Sequence, residues 1–302
     1  MYEKNSFFLI SFSNVGFTQE TFPLDTTYNL KSVYKKIKKN YPFISYVAPR
    51  NYENVIEIKE IVYKNSKERK LYLDAYYKNN KERNPADVII HGGGWSSGNK
   101  SQMEYFSKEL ASKGYSCFNI EFRLSGESQY PAAIHDVKNA IQFIKKKARE
   151  YNVDSSKVAV LGCSSGGQMA ALIGTTNGNS DHEENNKQNN KISAAVNAII
   201  DIDGILAFKH PESIEGVVAG YWLGGGYEEI PDVWEKASPL HHTDKNTPPI
   251  LYINSSITRF HAGREDMIAI LNKNNIYSEV KTISDSPHSF WFFNPWFDET
   301  IV

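Results

Sequence analysis

The chain has 302 residues, 40% of them hydrophobic and 23% charged, with a formal net charge of −1 at pH 7. That length suits one α/β domain, although domains more often run nearer about 150 residues, and the apolar content is ample for a core. The near-neutral charge gives no electrostatic case for a nucleic-acid partner, two cysteines exclude a disulfide framework, and without an apolar run of about 20 residues no membrane-crossing helix is expected.

At the N-terminus, Phe7-Phe8-Leu9-Ile10-Ser11-Phe12 and Val15-Gly16-Phe17 form an apolar patch after Lys4. The pattern resembles a secretory signal peptide over residues 1–19, and on that reading the protein is secreted or periplasmic. Glu3, Asn5 and Asn14 run against it. The alternative is an ordinary N-terminal strand in a cytoplasmic protein. Residues 20–302 read as a single domain. The basic run Ser32 to Lys39 lacks a broad apolar stripe and reads as a solvated face rather than a helix.

Residues 55–63 and 70–77 alternate as two antiparallel strands around a turn at Asn65-Ser66-Lys67. From there strands and helices alternate. Strands are predicted near 86–91, 116–122, 157–162, 195–203, 249–255 and 277–283, and helices near 101–113, 132–150, 165–174 and 262–273. Such alternation predicts a mostly parallel central sheet with helices on both faces and a site at the carboxyl ends of the strands. Asn177 to Lys191 is a polar surface loop. Residues 204–247 are long and irregular and read as a cap or pocket wall. No internal repeat stands out.

Two segments carry the chemistry. His91-Gly92-Gly93-Gly94-Trp95 follows the first parallel strand, and Gly162-Cys163-Ser164-Ser165-Gly166 follows Lys157 to Leu161. The second is a G-x-S-x-G turn between a strand and a helix, which lifts a serine hydroxyl out of the sheet. The register of Gly162 and Gly166 selects Ser164 over Ser165. In the first, bare backbone N–H groups of Gly93 and Gly94, with that of Ser165, are placed to face a developing oxyanion. His91 braces this loop. His288, in Ser286-Pro287-His288-Ser289 after the last strand, is the candidate general base. His261 is its rival.

Together these motifs resemble the α/β-hydrolase fold, and within it the HGGGW-type carbohydrate esterases related to bifunctional acetyl and feruloyl esterases, over roughly residues 55 to 302. The resemblance implies a serine carboxylesterase that cleaves acetyl or feruloyl esters on plant polysaccharides, with no cofactor and no metal. The residues alone say only ester or amide. A small-amide hydrolase of the formamidase kind and a non-catalytic binding member of the fold are the alternatives. The resemblance also places the third catalytic residue, an acid, after the strand ending at Ile253, where Asn254-Ser255-Ser256-Ile257-Thr258 offer no carboxylate. Asp203 is preferred instead, because it ends the preceding strand. Asp266 and then Glu265 are the alternatives, although acidic residues in a first helical turn have an ordinary explanation. Trp95, Tyr130, Tyr221, Trp222 and Trp291 are candidate substrate contacts, with Phe290, Phe293 and Trp296 also flanking the catalytic loops. Trp95 reads equally as a pocket wall or a structural plug. The fold usually closes on a final helix, of which Phe297 to Val302 reads as the start. The oligomeric state stays open.

Overall fold

The computed structural model describes residues 25, 27–67, 69–80, 82–184 and 192–301. The signal-like segment lies outside them. Among the described residues the chain runs α1 (Leu30–Ile37), β1 (Ser45–Tyr46), β2 (Val55–Asn65), β3 (Lys70–Lys78), β4 (Asn84–Ile90), α2 (Glu104–Ser112), β5 (Ser116–Ile120), α3 (Ala132–Lys146), β6 (Val153–Cys163), α4 (Ser165–Thr175) and β7 (Ala198–Ile202). It continues through α5 (Gly216–Leu223), α6 (Pro231–Lys236), α7 (Pro239–His242), β8 (Ile250–Asn254), α8 (Arg264–Lys273), β9 (Ser278–Thr282), β10 (Phe293–Asn294) and α9 (Phe297–Thr300).

Eight strands form one sheet in the order β2-β3-β5-β4-β6-β7-β8-β9. The first two neighbour pairs are antiparallel and the other five parallel. The inner parallel strands β4, β6, β7 and β8 are mostly apolar on both sides, as a sheet covered by helices requires, whereas the edge strand β9 is polar and largely exposed. Ile89, Leu161, Ile202 and Ile253 face α1, α2 and the C-terminal segment. Ile90, Val160, Ile199 and Tyr252 face α3, α4 and residues 205–240.

Order and register place the site. The chain leaves β4 for β5 on one side and then crosses back to β6 on the other, so β4 and β6 are neighbours at the point where the winding reverses. Crevices open beyond the carboxyl ends of strands at such points. Ile90, the last residue of β4, pairs with Gly162, Gly162 pairs with Asp201, and Ile202 pairs with Ile253. The loops after β4, β6, β7 and β8 therefore emerge side by side.

One expectation fails outside the sheet. The run Ser32 to Lys39 lies largely in a helix, α1, rather than on an irregular solvated face. Asn29 caps it: the Asn29 side chain accepts from the Ser32 N–H, and Ser32 Oγ accepts from the Asn29 N–H, each at 3.0 Å. This reciprocal box satisfies two otherwise orphaned donors. Val33 and Ile37, one turn apart, are enough to dock the helix, while the lysines stay in water. Lys35 and Lys36 in the last turn suit the negative end of the helix dipole. The region 204–247 holds α5, α6 and α7, which pack over the α4 side of the sheet.

Candidate active site

β6 ends at Cys163, and α4 begins at Ser165. Between them Ser164 sits at φ 57° and ψ −123°, a strained conformation for a residue with a side chain. Its N–H is tied to the Ile202 carbonyl at 2.8 Å. The flanking glycines are steric necessities. A Cβ on Gly162 would lie 1.9 Å from the Gly166 carbonyl oxygen, and one on Gly166 would lie 2.3 Å from that of Ile90. The turn can therefore fold this tightly, and this close to β4, only without side chains at those positions. Cys163 points into the core, where burial raises its thiol pKa well above the usual range, so it is no competing nucleophile.

His288 Nε2 lies 2.9 Å from Ser164 Oγ, and His288 Nδ1 lies 2.9 Å from Asp203 Oδ2. A carboxylate accepts and does not donate, so Nδ1 carries the ring proton and Nε2 is left to accept from the serine hydroxyl. Asp203 follows β7 directly at φ 53°, is fully buried, and anchors its N–H on the Ile253 carbonyl at 3.1 Å. Its other oxygen accepts from the Ser255 N–H at 2.7 Å. Nearby Asp201 is also fully buried. Burial first, and the neighbouring Asp203 second, raise its pKa well above the carboxylate range.

The other candidates lie elsewhere. Asp266 is exposed and pairs with His210 at 3.0 Å, and Glu265 is exposed and pairs with Arg264 at 2.6 Å. Neither hydrogen-bonds to His288, since both start a helix that points them to solvent. His261 bonds the Ser255 carbonyl rather than a serine hydroxyl, with Nε2 3.0 Å from that oxygen. An oxygen acceptor there requires the proton on Nε2, so this nitrogen donates.

The glycine loop meets the serine from the β4 side. A Cβ on Gly92 would fall 3.1 Å from Ser164 Cβ, so the two turns are in contact. Gly93 takes φ 138°, and a Cβ there would lie 2.0 Å from the Ser97 carbonyl oxygen. The N–H groups of Gly93, Gly94 and Ser165 donate to no protein acceptor among the described residues. For Ser165 this follows from its place in the first turn of α4, where no helical partner exists. The loop is held by other groups. Ser97 N–H and Oγ bond the Gly93 carbonyl at 3.1 and 3.0 Å. His91 is buried, stacks on Phe122 at 4.5 Å, and donates from Nδ1 to the Gly92 carbonyl at 2.9 Å. Burial lowers its pKa to about 4, so it is a neutral brace.

The aromatic candidates divide by burial. Trp95 is a plug and not a wall: it is 3% exposed, stacks on Trp222 with ring centres 5.1 Å apart, and donates to Gln168 Oε1 at 2.9 Å. Gln168 in turn donates to the Ala237 carbonyl at 2.7 Å. Trp222 and Trp291 are likewise buried, which corrects the expectation that they contact substrate. Phe290, Phe293 and Trp296 belong to the core under α1. Tyr130 is partly buried with its hydroxyl between His182 and Lys236. Only Tyr221, on α5, stays exposed. On the same helix Val218 stands over the glycine loop, where a Cβ on Gly94 would lie 3.2 Å from Val218 Cγ1.

Phe260 has no signal in the sequence. It stacks face to face on His288, centres 3.6 Å apart and 11° from parallel, and Arg259 lies over its far face at 4.1 Å. Trp291 meets the histidine edge-on at 5.2 Å. Each such contact contributes about 0.5–1.5 kcal/mol and removes ring rotation. The arrangement as a whole offers an activatable hydroxyl, a base with a fixed tautomer, and three backbone N–H groups near them that have no protein acceptor among the described residues. These are the parts that acyl transfer needs. Among the described residues no group of three or more His, Cys, Asp or Glu is arranged to hold a metal.

The BD-FAE family model matches residues 73–258, which include Gly93, Ser164 and Asp203. Esterase LipC of Mycobacterium tuberculosis is 27% identical over 226 residues, covering 71% of this chain and 53% of its own. The chain spans about half the length of the curated relatives it matches. Among solved structures, a bifunctional GH43-CE protein of Bacteroides eggerthii aligns with TM-score 0.70 and 26% identity, over 81% of this chain and 37% of that one. A truncated carbohydrate esterase from gut microbiota aligns with TM-score 0.68 and 23% identity, over 84% and 97%, and shows the shared fold.

Proposed function

The chain belongs to the BD-FAE family and has its α/β-hydrolase fold, and from that premise we propose that it is a serine carboxylesterase that removes short acyl groups, acetyl or feruloyl, from plant polysaccharides. The observation that carries the reading is the hydrogen-bonded chain from Ser164 through His288 to Asp203. In the first half-reaction Ser164 Oγ attacks the ester carbonyl while His288 Nε2 takes the hydroxyl proton. Asp203 keeps the imidazolium oriented and stabilised. The negative oxygen of the tetrahedral intermediate accepts from the N–H groups of Gly93, Gly94 and Ser165. Collapse breaks the bond to the alcohol, which leaves with the proton from Nε2. A water molecule then repeats the sequence on the acyl-serine and releases the acid. A polysaccharide substrate lies outside the cell, so export of the protein is part of the same proposal.

Two measurements test this reading. Release of acetate and ferulate from acetylated xylan and feruloylated arabinoxylan is expected. With p-nitrophenyl esters, kcat/KM is expected on this reading to fall about tenfold or more from butyryl to octanoyl. A value that rises with chain length overturns the short-acyl reading.

The glycine loop supplies an independent prediction. Gly93→Ala forces a Cβ against the Ser97 carbonyl at a backbone angle that disfavours side chains. The loop must shift, and kcat is expected to drop by about 10²–10³ as donors move off the oxyanion. Near wild-type kcat in this variant removes Gly93 from the proposed set.

A further inference from the structure

His288 lines a cavity of about 520 Å³, well inside the range of about 300–1,000 Å³ typical of small-ligand sites. One wall is α1 and the other is the turn at 257–260 with residues 287–289. Of the catalytic groups His288 alone lines it; Ser164, Gly93, Gly94, Ser165 and Val218 do not. That division has chemical meaning. In acyl transfer the histidine hands its proton to the departing oxygen, so the alcohol part of an ester lies on the histidine's side of the scissile bond. On the esterase reading above, this cavity therefore receives the alcohol and not the acyl group.

Its lining describes that alcohol. Tyr28 and Tyr41 bring aromatic rings to the lining, of the kind on which sugar rings stack, while both faces of Phe260 are already taken by His288 and Arg259. The charged side chains besides His288 are Lys36 and Arg259, and no carboxylate of the described residues lines the cavity. Arg259 is partly neutralised by an ion pair with Glu215. Lys36 is exposed and makes no ion pair among the described residues. Lys31, Lys35, Lys38 and Lys39 lie on or beside the same helix, and the nearest carboxylate in the sequence is Asp25, which accepts from the Thr27 N–H at the cavity's edge at 2.8 Å. Lys36 thus brings an unpaired positive charge to the cavity wall, although the whole chain is close to neutral.

We propose that the alcohol is an anionic carbohydrate: the enzyme deacylates sugar chains that carry uronate carboxylates, drawn to Lys36 and Arg259 beside His288. The test compares kcat/KM on acetylated oligogalacturonides and on acetylated xylo-oligosaccharides of matched length. The wild type is expected to favour the anionic series by about tenfold at low salt. The ratio should shrink as ionic strength rises toward about 0.5 M, where charges are screened within a few ångströms. Lys36→Gln should reduce the ratio roughly threefold, chiefly through KM, and Lys36→Glu should reduce it further. Equal rates on both series, or a preference indifferent to salt and to both Lys36 variants, overturn the proposal. So does cleavage of p-nitrophenyl acetate with both carbohydrate series inert. Failure on p-nitrophenyl acetate as well, with no covalent labelling of Ser164, strikes instead at the esterase reading beneath it.

Discussion

Ser164→Ala is expected to lower kcat for ester hydrolysis by on the order of 10⁶, leaving only what oxyanion donors and binding supply without a nucleophile. The substitution deletes one oxygen. That oxygen bonds His288 at 2.9 Å, and the backbone at Ser164 is held independently by the Ile202 carbonyl and the glycine contacts. The elbow should therefore survive, and circular dichroism and thermal melting should match the wild type. Two readouts belong together: kcat on p-nitrophenyl acetate, and covalent mass added by a fluorophosphonate. The alanine variant should lose both. Near wild-type turnover would remove Ser164 from the mechanism, and labelling at Ser165 would move the role one residue along.

Asp203→Asn should cost about 10³–10⁴ in kcat, and the reason is a proton in the wrong place. The amide oxygen can still accept from the Ser255 N–H, as Oδ1 does at 2.7 Å. The amide nitrogen then faces His288 Nδ1 and donates to it. The ring proton is driven to Nε2, which can no longer accept from Ser164. Shape is kept and basicity is lost where it is needed. Asp266→Asn and Glu265→Gln should change kcat little, because those carboxylates pair with His210 and Arg264. A mild Asp203→Asn effect combined with a severe Asp266→Asn effect would transfer the role.

Much of this site is legible in residue types and their spacing. Ser164 announces itself through glycines at fixed intervals, because the elbow's steric demand is written into residue type. His288 is placed by chain order. Asp203 emerges because a carboxylate at a strand's end has few ordinary explanations, whereas Asp266 and Glu265 have one in the first turn of α8. Burial is not legible in the same way. Trp95 and Trp222 sit where a pocket wall also could, and only their mutual stacking and the Gln168 bond decide that they are plugs. Helix α1 escapes a search for apolar stripes because two docked residues and an Asn29 cap suffice when a tertiary surface waits for them. Phe260 escapes for a related reason. Its partner is 28 positions downstream, and no local pattern encodes a face-to-face stack on His288.

The pairing of Ile90 with Gly162 and of Gly162 with Asp201 has a practical corollary for how the protein should fail when heated. Adjacent residues along a strand are about 3.3 Å apart. A slip of one position between β4 and β6 would displace the N–H donors from the oxyanion by more than a hydrogen bond tolerates. Catalytic alignment is thus indexed to the ladder of the central sheet, the part of a domain that opens last. Inactivation and global melting should share one temperature, and stabilising substitutions on peripheral helices should lengthen working life without retuning the chemistry.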